Sequence, residues 1–214
     1  MHFAVKRDFY RSIRPSFPPS NFEVFVFGPY LQPNALVRKP TSRPNNHETI
    51  NAHARYLRHM TRKTLLAEGF AVEFGEARKM LDFWHRQFKS PDSGATEMLH
   101  ARKVSGALVI FPSSVGSICE LSMFAPISEI ASKTLAIVHK KFENDQSFFR
   151  RAMLEVFDSE NGKPEFLPYD DHKKCVEAAV AFVKKKYNKL LRDHEKIESA
   201  ALLSRSYHDT ALQK

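Results

Sequence analysis

Residues 106–125, GALVIFPSSVGSICELSMFA, constrain the fold more than any other stretch, because an apolar strand runs directly into a small-residue turn and then a helix. Ala107, Leu108, Val109, Ile110 and Phe111 form an apolar run of strand length with no alternation, which predicts a strand buried on both faces of a parallel sheet. Pro112, Ser113, Ser114, Val115, Gly116 and Ser117 end that strand. Small residues there let a ligand approach the backbone, and the N–H groups that open the following helix attract anions and polar ligand atoms. The helix is predicted over Ser117 to Phe124, with Glu120 one turn inside it at the mouth of the turn. A second reading of the same residues is structural. Ser117-Ile118-Cys119-Glu120 fits the S-x-x-E capping box, in which Ser117 is the N-cap and Glu120 reaches back to its amide.

Elsewhere strands alternate with helices. Phe22 to Phe27 reads as a first strand ended by Gly28-Pro29, and Leu31 to Asn46, rich in proline and polar residues, as a loop of a length often put to functional use. Thr49 to Ala67 is a predicted helix with Ile50, Ala54, Leu57 and Leu65 among its apolar positions and Gly69 as its stop. A strand over Phe70 to Phe74, a helix over Ala77 to Phe88, a turn at Ser90 to Gly94 and a short helix over Thr96 to Lys103 follow. Beyond the turn the pattern predicts a strand over Thr134 to Val138, a helix over Phe148 to Phe157 and a short edge strand over Glu165 to Leu167. A long amphipathic helix from Asp171 to Glu195 carries Val176, Ala179, Val180, Val183, Tyr187 and Leu190 at three- and four-residue steps, a core-facing stripe. The expected architecture is a Rossmann-like α/β three-layer sandwich with a mostly parallel sheet of four to five strands, and a ligand site at the strand carboxyl ends. Residues 1–20 read as a basic N-terminal extension, 21–195 as the α/β domain, and 196–214 as a tail, either a frayed helix or an oligomerisation arm.

Composition narrows the function classes. The 214 residues carry 33 lysines and arginines against 24 acidic residues, a net charge of +9 that favours anionic partners. The cations fall in several places: Arg55, Arg58, Arg62 and Lys63; Arg150-Arg151; and Lys184-Lys185-Lys186. Each cluster reads as a solvated basic face or as a contact for nucleic acid or nucleoprotein. No apolar run has membrane-spanning length and the N-terminus shows no secretory pattern, so a cytoplasmic protein without membrane partners is expected. Cys119 and Cys175 fall in apolar helical patterns and read as buried thiols, not as a disulfide or metal pair. His53 and His59 are six apart, which is not metal-pair spacing on a helix, and neither a G-x-x-x-x-G-K-[ST] loop nor a G-x-S-x-G elbow is present. A serine hydrolase built on Ser114 or Ser117 lacks a placed base.

Gly116, Ser117, Glu120 and Leu121 match the G-[ST]-x-x-E-L signature of the nucleoside 2-deoxyribosyltransferase-like proteins, which the segment resembles. Phe25-Val26-Phe27-Gly28-Pro29-Tyr30 resembles the first strand of that family with its Gly-Pro-aromatic end; Thr96 to Arg102 and Lys133 to Val138 resemble the elements flanking the signature. Within this superfamily the chain is most similar to bacterial effectors, retron-associated toxins included, where P-x-S-x-G-S-x-x-E-L-x-x-F recurs and a Ser-Phe pair, here Ser147-Phe148, follows the next strand. The likeness spans residues 22–185. The chain departs from the transferases at Ser105-Gly106 and Ser113-Ser114, where acidic residues are usual, and Glu73 and Glu76 are the substitutes at hand unless they serve only the surface.

The resemblance implies cleavage of an N-glycosidic bond with Glu120 as the catalytic carboxylate. Gly28, Pro29, Tyr30, Ser113, Ser114, Gly116 and Ser117 are the implied substrate-binding residues, with Phe27 either flanking the ligand or in the core. No cofactor is implied. The substrate is a nucleotide or nucleoside, NAD among them, and the setting is bacterial anti-phage defence. Active sites of the transferases are completed by a neighbouring subunit, which implies a homo-oligomer or a hetero-complex. Two other readings stand beside it: a Rossmann-like nucleotide sensor that uses the same turn without turning its ligand over, and a module that docks nucleoprotein through the basic face and the long C-terminal helix.

Overall fold

Because the central strands are apolar at nearly every position, both of their faces must be covered, and the fold does this with helices. The computed structural model describes residues 17–32, 36–75, 93–147 and 149–211, together with Asp82 and Arg86. Five strands, β1 (Glu23–Phe27), β2 (Ala71–Phe74), β3 (Ala107–Ile110), β4 (Thr134–His139) and β5 (Lys163–Leu167), form one sheet in the order β2-β1-β3-β4-β5. Every pairing is parallel, with Val26 opposite Phe74 and Val109, and Ile110 opposite Ala136. The helices are α1 (His47–Ala67), α2 (Ser93–Lys103), α3 (Val115–Phe124), α4 (Ser128–Ala131), α5 (Glu155–Ser159) and α6 (His172–Ala211).

Alternation along the strands divides the core. Val24, Val26, Val109, Leu135 and Ile137 share one cluster with Leu57 of α1 and Ala179 and Val183 of α6. Phe25, Phe27, Leu108, Ile110 and Val138 share the other with Ala101 of α2, Leu121 and Phe124 of α3, and Phe157 of α5. The sandwich is therefore α1/α6, sheet, and α2/α3/α5. Its order has a consequence for ligands: the chain passes from β1 to β2 on one side and returns to β3 on the other. The carboxyl ends of β1 and β3 thus form a topological switch point, where open α/β sheets leave a crevice.

Several element boundaries differ from the sequence expectation. The first helix starts at His47 because Asn46 and Thr49 form a capping box, Asn46 Oδ1 accepting from the Thr49 amide at 2.9 Å. The helix after β3 likewise starts at Val115, ahead of the expected Ser117. β5 begins at Lys163, and the segment expected as a helix over Phe148 to Phe157 opens as a π-helical turn at Phe149–Leu154 before α5. α6 continues unbroken to Ala211, across the tail boundary expected at 195/196. Cys175 is buried, and burial pushes its thiol up to about 12, but Cys119 is exposed because it projects away from the Ser117, Leu121 and Phe124 face of α3. Residues 1–16, Glu76, Phe148, and the expected helix and turn over 77–92 (apart from Asp82 and Arg86) lie outside the described residues.

Gly106 precedes β3 where the Phe22 ring packs, and a Cβ there would lie 2.3 Å from Phe22 Cε2, whereas one on Gly116 would meet nothing within 4 Å. Gly106→Ala is expected to lower stability by about 1–3 kcal/mol through overpacking, and Gly116→Ala to leave it unchanged or slightly higher. Urea unfolding midpoints of the two variants check this.

Candidate active site at the carboxyl edge of the sheet

The end of β1 is shaped by a buried cation. Arg58 of α1 is only 1 % exposed, so it forms part of neither the solvated basic face nor the nucleic-acid contact expected of its cluster. Its Nε and Nη2 donate to the Val26 carbonyl at 3.1 and 3.0 Å, and its Nη1 donates to the carbonyls of Gly28 and Pro29 at 3.2 and 3.0 Å. The guanidinium lies 4.4 Å from the centroid of the Phe74 ring, where the π-face favours a cation. Gly28 has φ 151°, and a Cβ on it would stand 3.2 Å from Arg58 Cδ and 3.5 Å from Phe111. A side chain at this position would therefore both strain the backbone and loosen the Arg58 clamp. Phe27 is wholly buried, 4.9 Å from Phe124 between ring centroids, and belongs to the core; Tyr30 is 57 % exposed.

After β3 the chain makes the expected turn, with a different cap. Ser114 is the N-cap of α3 and Ser117 its third residue: the Ser117 amide donates to Ser114 Oγ at 3.3 Å. The amides of Ser113 and Ser114 both donate to Ser117 Oγ at 3.0 Å. This box replaces the Ser117–Glu120 box, because the earlier serine caps the helix and leaves Glu120 beyond the first turn. Ser117 is 1 % exposed and its hydroxyl is engaged by the turn, so it shapes the site from within. Gly116 and Val115 are exposed at the helix start, Ser114 is half-buried, and Ser113 Oγ donates to Asn51 Oδ1 of α1 at 3.1 Å.

Two cavities are walled in part by α1, and the smaller opens beside this turn. One, of about 340 Å³, is mainly apolar and lies between Ile50, Ser113, Ile118 and Phe142, with His47 and Asp145 also on its wall. The other, of about 590 Å³, lies between Tyr30, the segment Leu36 to Ser42, and Ala52 and Arg55 of α1. At about 100° per residue, Asn51 falls between the Ile50–His47 and Arg55–Ala52 sides of α1, so its bond to Ser113 stands between the cavities. Glu120 lines neither. Ile118 and Glu120 are about 200° apart on α3, on opposite flanks of its sheet-facing stripe. Glu120 is half-buried, with Oε2 closed off from solvent. The structure thus brings Gly28, Pro29, Ser113, Ser114, Gly116 and Ser117 to one sheet edge, Tyr30 to the larger cavity, and Glu120 to the flank of α3 away from Ile118. Glu73 is exposed on β2.

A histidine cluster that the sequence reading missed closes the α1/α6 side. His53 Nε2 is 2.7 Å from the Ser42 carbonyl and donates to it, leaving Nδ1 to accept from His172 Nε2 at 2.9 Å in the neutral ring; the Tyr169 carbonyl is 3.2 Å from the same nitrogen. The His53 and His172 rings stack at 5.0 Å, and His139 meets the Tyr169 ring edge-on at 5.1 Å. These residues are 119 positions apart at the extremes of the pair, and no local pattern links them. Burial holds the imidazoles of His139 and His172 below their ordinary value, and the positive charge of Lys39 and the neighbouring His53 add to this at His172.

The chain belongs to the STM3845 retron effector protein family, whose model matches residues 54–209, from within α1 through α6. Membership gives it a defence-related effector role. The matched span contains the β3 turn and Glu120 and leaves out β1 and residues 28–42. No curated protein matches the chain. No helix among the described residues is long and apolar enough to cross a membrane.

The histidines set a pH dependence. Their folded pKa values lie below the unfolded 6.5, so the unfolded state binds more protons in that window. The contribution of these two groups to stability is full above pH about 6.5 and is lost as pH drops towards the folded values. Urea unfolding at about pH 7.5 and about pH 5.5 is expected to show a lower midpoint in acid, and His172→Gln to reduce the difference.

Proposed function

We propose that this effector is an N-glycosidase: it cleaves the N-glycosidic bond of a nucleotide or nucleoside, with NAD among its candidate substrates and Glu120 as the reacting carboxylate. The observation that carries this reading is the placement of Glu120, on the helix that follows the switch-point turn, with Oε2 withdrawn from solvent. An oxygen held out of water presents its charge to a developing cation with less screening. The match of Gly116, Ser117, Glu120 and Leu121 to the deoxyribosyltransferase-like signature supports the same role.

In this mechanism a Glu120 oxygen attacks the anomeric carbon as the C–N bond breaks, and the bonding electron pair leaves with the base, which takes up a proton. The resulting glycosyl ester is resolved by water, or by an acceptor in a transfer reaction. The transition state is oxocarbenium-like, so a carboxylate that stabilises that charge without bonding to it also serves. Ser114 and the exposed amide end of α3 at Gly116 hold ribose hydroxyls or phosphate oxygens. Ser113 acts through its bond to Asn51, and Ser117 keeps the turn in shape.

One observation favours a second reading, a nucleotide sensor that binds without turnover: Glu120 lines neither cavity. The two separate in one experiment. Purified wild type and Glu120→Gln are incubated with NAD and a panel of nucleosides and nucleotides, and free base is followed by chromatography. The N-glycosidase reading expects release by the wild type and a loss of at least about a hundredfold in Glu120→Gln, with the unfolding midpoint retained. A wild type that binds a nucleotide and releases no base supports the sensor.

A further inference from the structure

The larger cavity differs from the smaller in charge. Arg38, Lys39 and Arg55 line it, and among the described residues no carboxylate lines it and none of the three cations forms an ion pair. Thr41, Ser42 and Gln32 add hydroxyl and amide groups, and Tyr30 gives an exposed aromatic ring at the β1 end. A concave wall carrying one sign of charge focuses its field into the cleft, where a multivalent anion gains most. At about 590 Å³ the cavity suits a ligand of nucleotide size.

The described segments that line it, Tyr30 to Gln32 and Leu36 to Ser42, are each held at one end from α1. Arg58 holds the Pro29 carbonyl before the first, and His53 holds the Ser42 carbonyl at the far end of the second. Both anchors come from α1, which also supplies Arg55. That arrangement reduces the ordering cost of binding.

We infer that the cavity lined by Arg38, Lys39 and Arg55 holds the phosphate groups of a nucleoside phosphate, with Tyr30 against its sugar or base. The preferred substrate is then a phosphorylated nucleotide and not a free nucleoside, which rests on the N-glycosidase reading for what happens next to the sugar. The phosphate site itself does not depend on turnover. Two of its three cations, Arg38 and Lys39, lie outside the span that the family model matches, and Arg55 lies inside it.

Inorganic pyrophosphate tests the inference because it carries the charge without a base. Its binding to the full chain is measured by calorimetry at low and high salt, for wild type, Glu120→Gln, the triple variant Arg38→Ala/Lys39→Ala/Arg55→Ala, and a charge-matched control, Lys63→Ala/Lys103→Ala/Lys185→Ala. Unfolding midpoints establish that each variant is folded. The expected result is binding by wild type, Glu120→Gln and the control, weaker at high salt, and at least about a tenfold loss in the triple variant. Equal binding in the triple variant, equal losses in the triple variant and the control, or no binding by wild type overturns the inference. Pyrophosphate binding lost in the triple variant, with no base released by the wild type from any substrate, upholds the phosphate site and removes the N-glycosidase reading. Base release that pyrophosphate neither competes with nor binds beside upholds the N-glycosidase and removes the phosphate site.

Discussion

A guanidinium buried where a parallel sheet ends is the interaction on which this carboxyl edge depends. A buried cation is strongly disfavoured unless its donors are used, and Arg58 directs its donors at the carbonyls of Val26, Gly28 and Pro29. Those carbonyls lie where β1 stops pairing, so each would otherwise need another partner. The same contacts fasten α1 to the sheet and fix the direction in which Tyr30 and the following loop leave it. Removing the cation would thus release the strand end, the loop and the Gly28 conformation together.

The rest of the site follows from α1 lying over the switch point. Its first turns present His47 and Ile50 to the apolar cavity, Asn51 to the serine turn, and Ala52 and Arg55 to the basic cavity. His53 ties the same helix to the far end of the loop and to α6. One helix thereby positions groups from β1, β3 and the C-terminal helix, which explains how a sheet edge lined mainly by backbone can hold two differently polarised cavities apart. On α3, Glu120 occupies the flank away from the apolar cavity.

Much of this was legible in the sequence where the signal is local. The apolar runs at Ala107–Phe111 and Thr134–Val138 mark doubly covered strands, and the break at Pro112–Ser117 marks the site turn, since period and punctuation are properties of neighbouring residues. The cap of α3 was misplaced by three residues because Ser114-x-x-Ser117 and Ser117-x-x-Glu120 both present a cap-like pair, and only the hydrogen bonds distinguish them. Arg58 reads as one more surface cation beside Arg55 and Arg62; its burial depends on β1 carbonyls some thirty positions away. The histidine cluster and the basic cavity are non-local for the same reason.

The most direct measurement is a crystal structure of Glu120→Gln with a bound nucleotide. The account predicts the anomeric carbon within about 3–3.5 Å of the residue 120 side chain, and phosphates among Arg38, Lys39 and Arg55. A nucleotide lodged with its sugar in the apolar cavity beside Ile118, across α3 from residue 120, would contradict it.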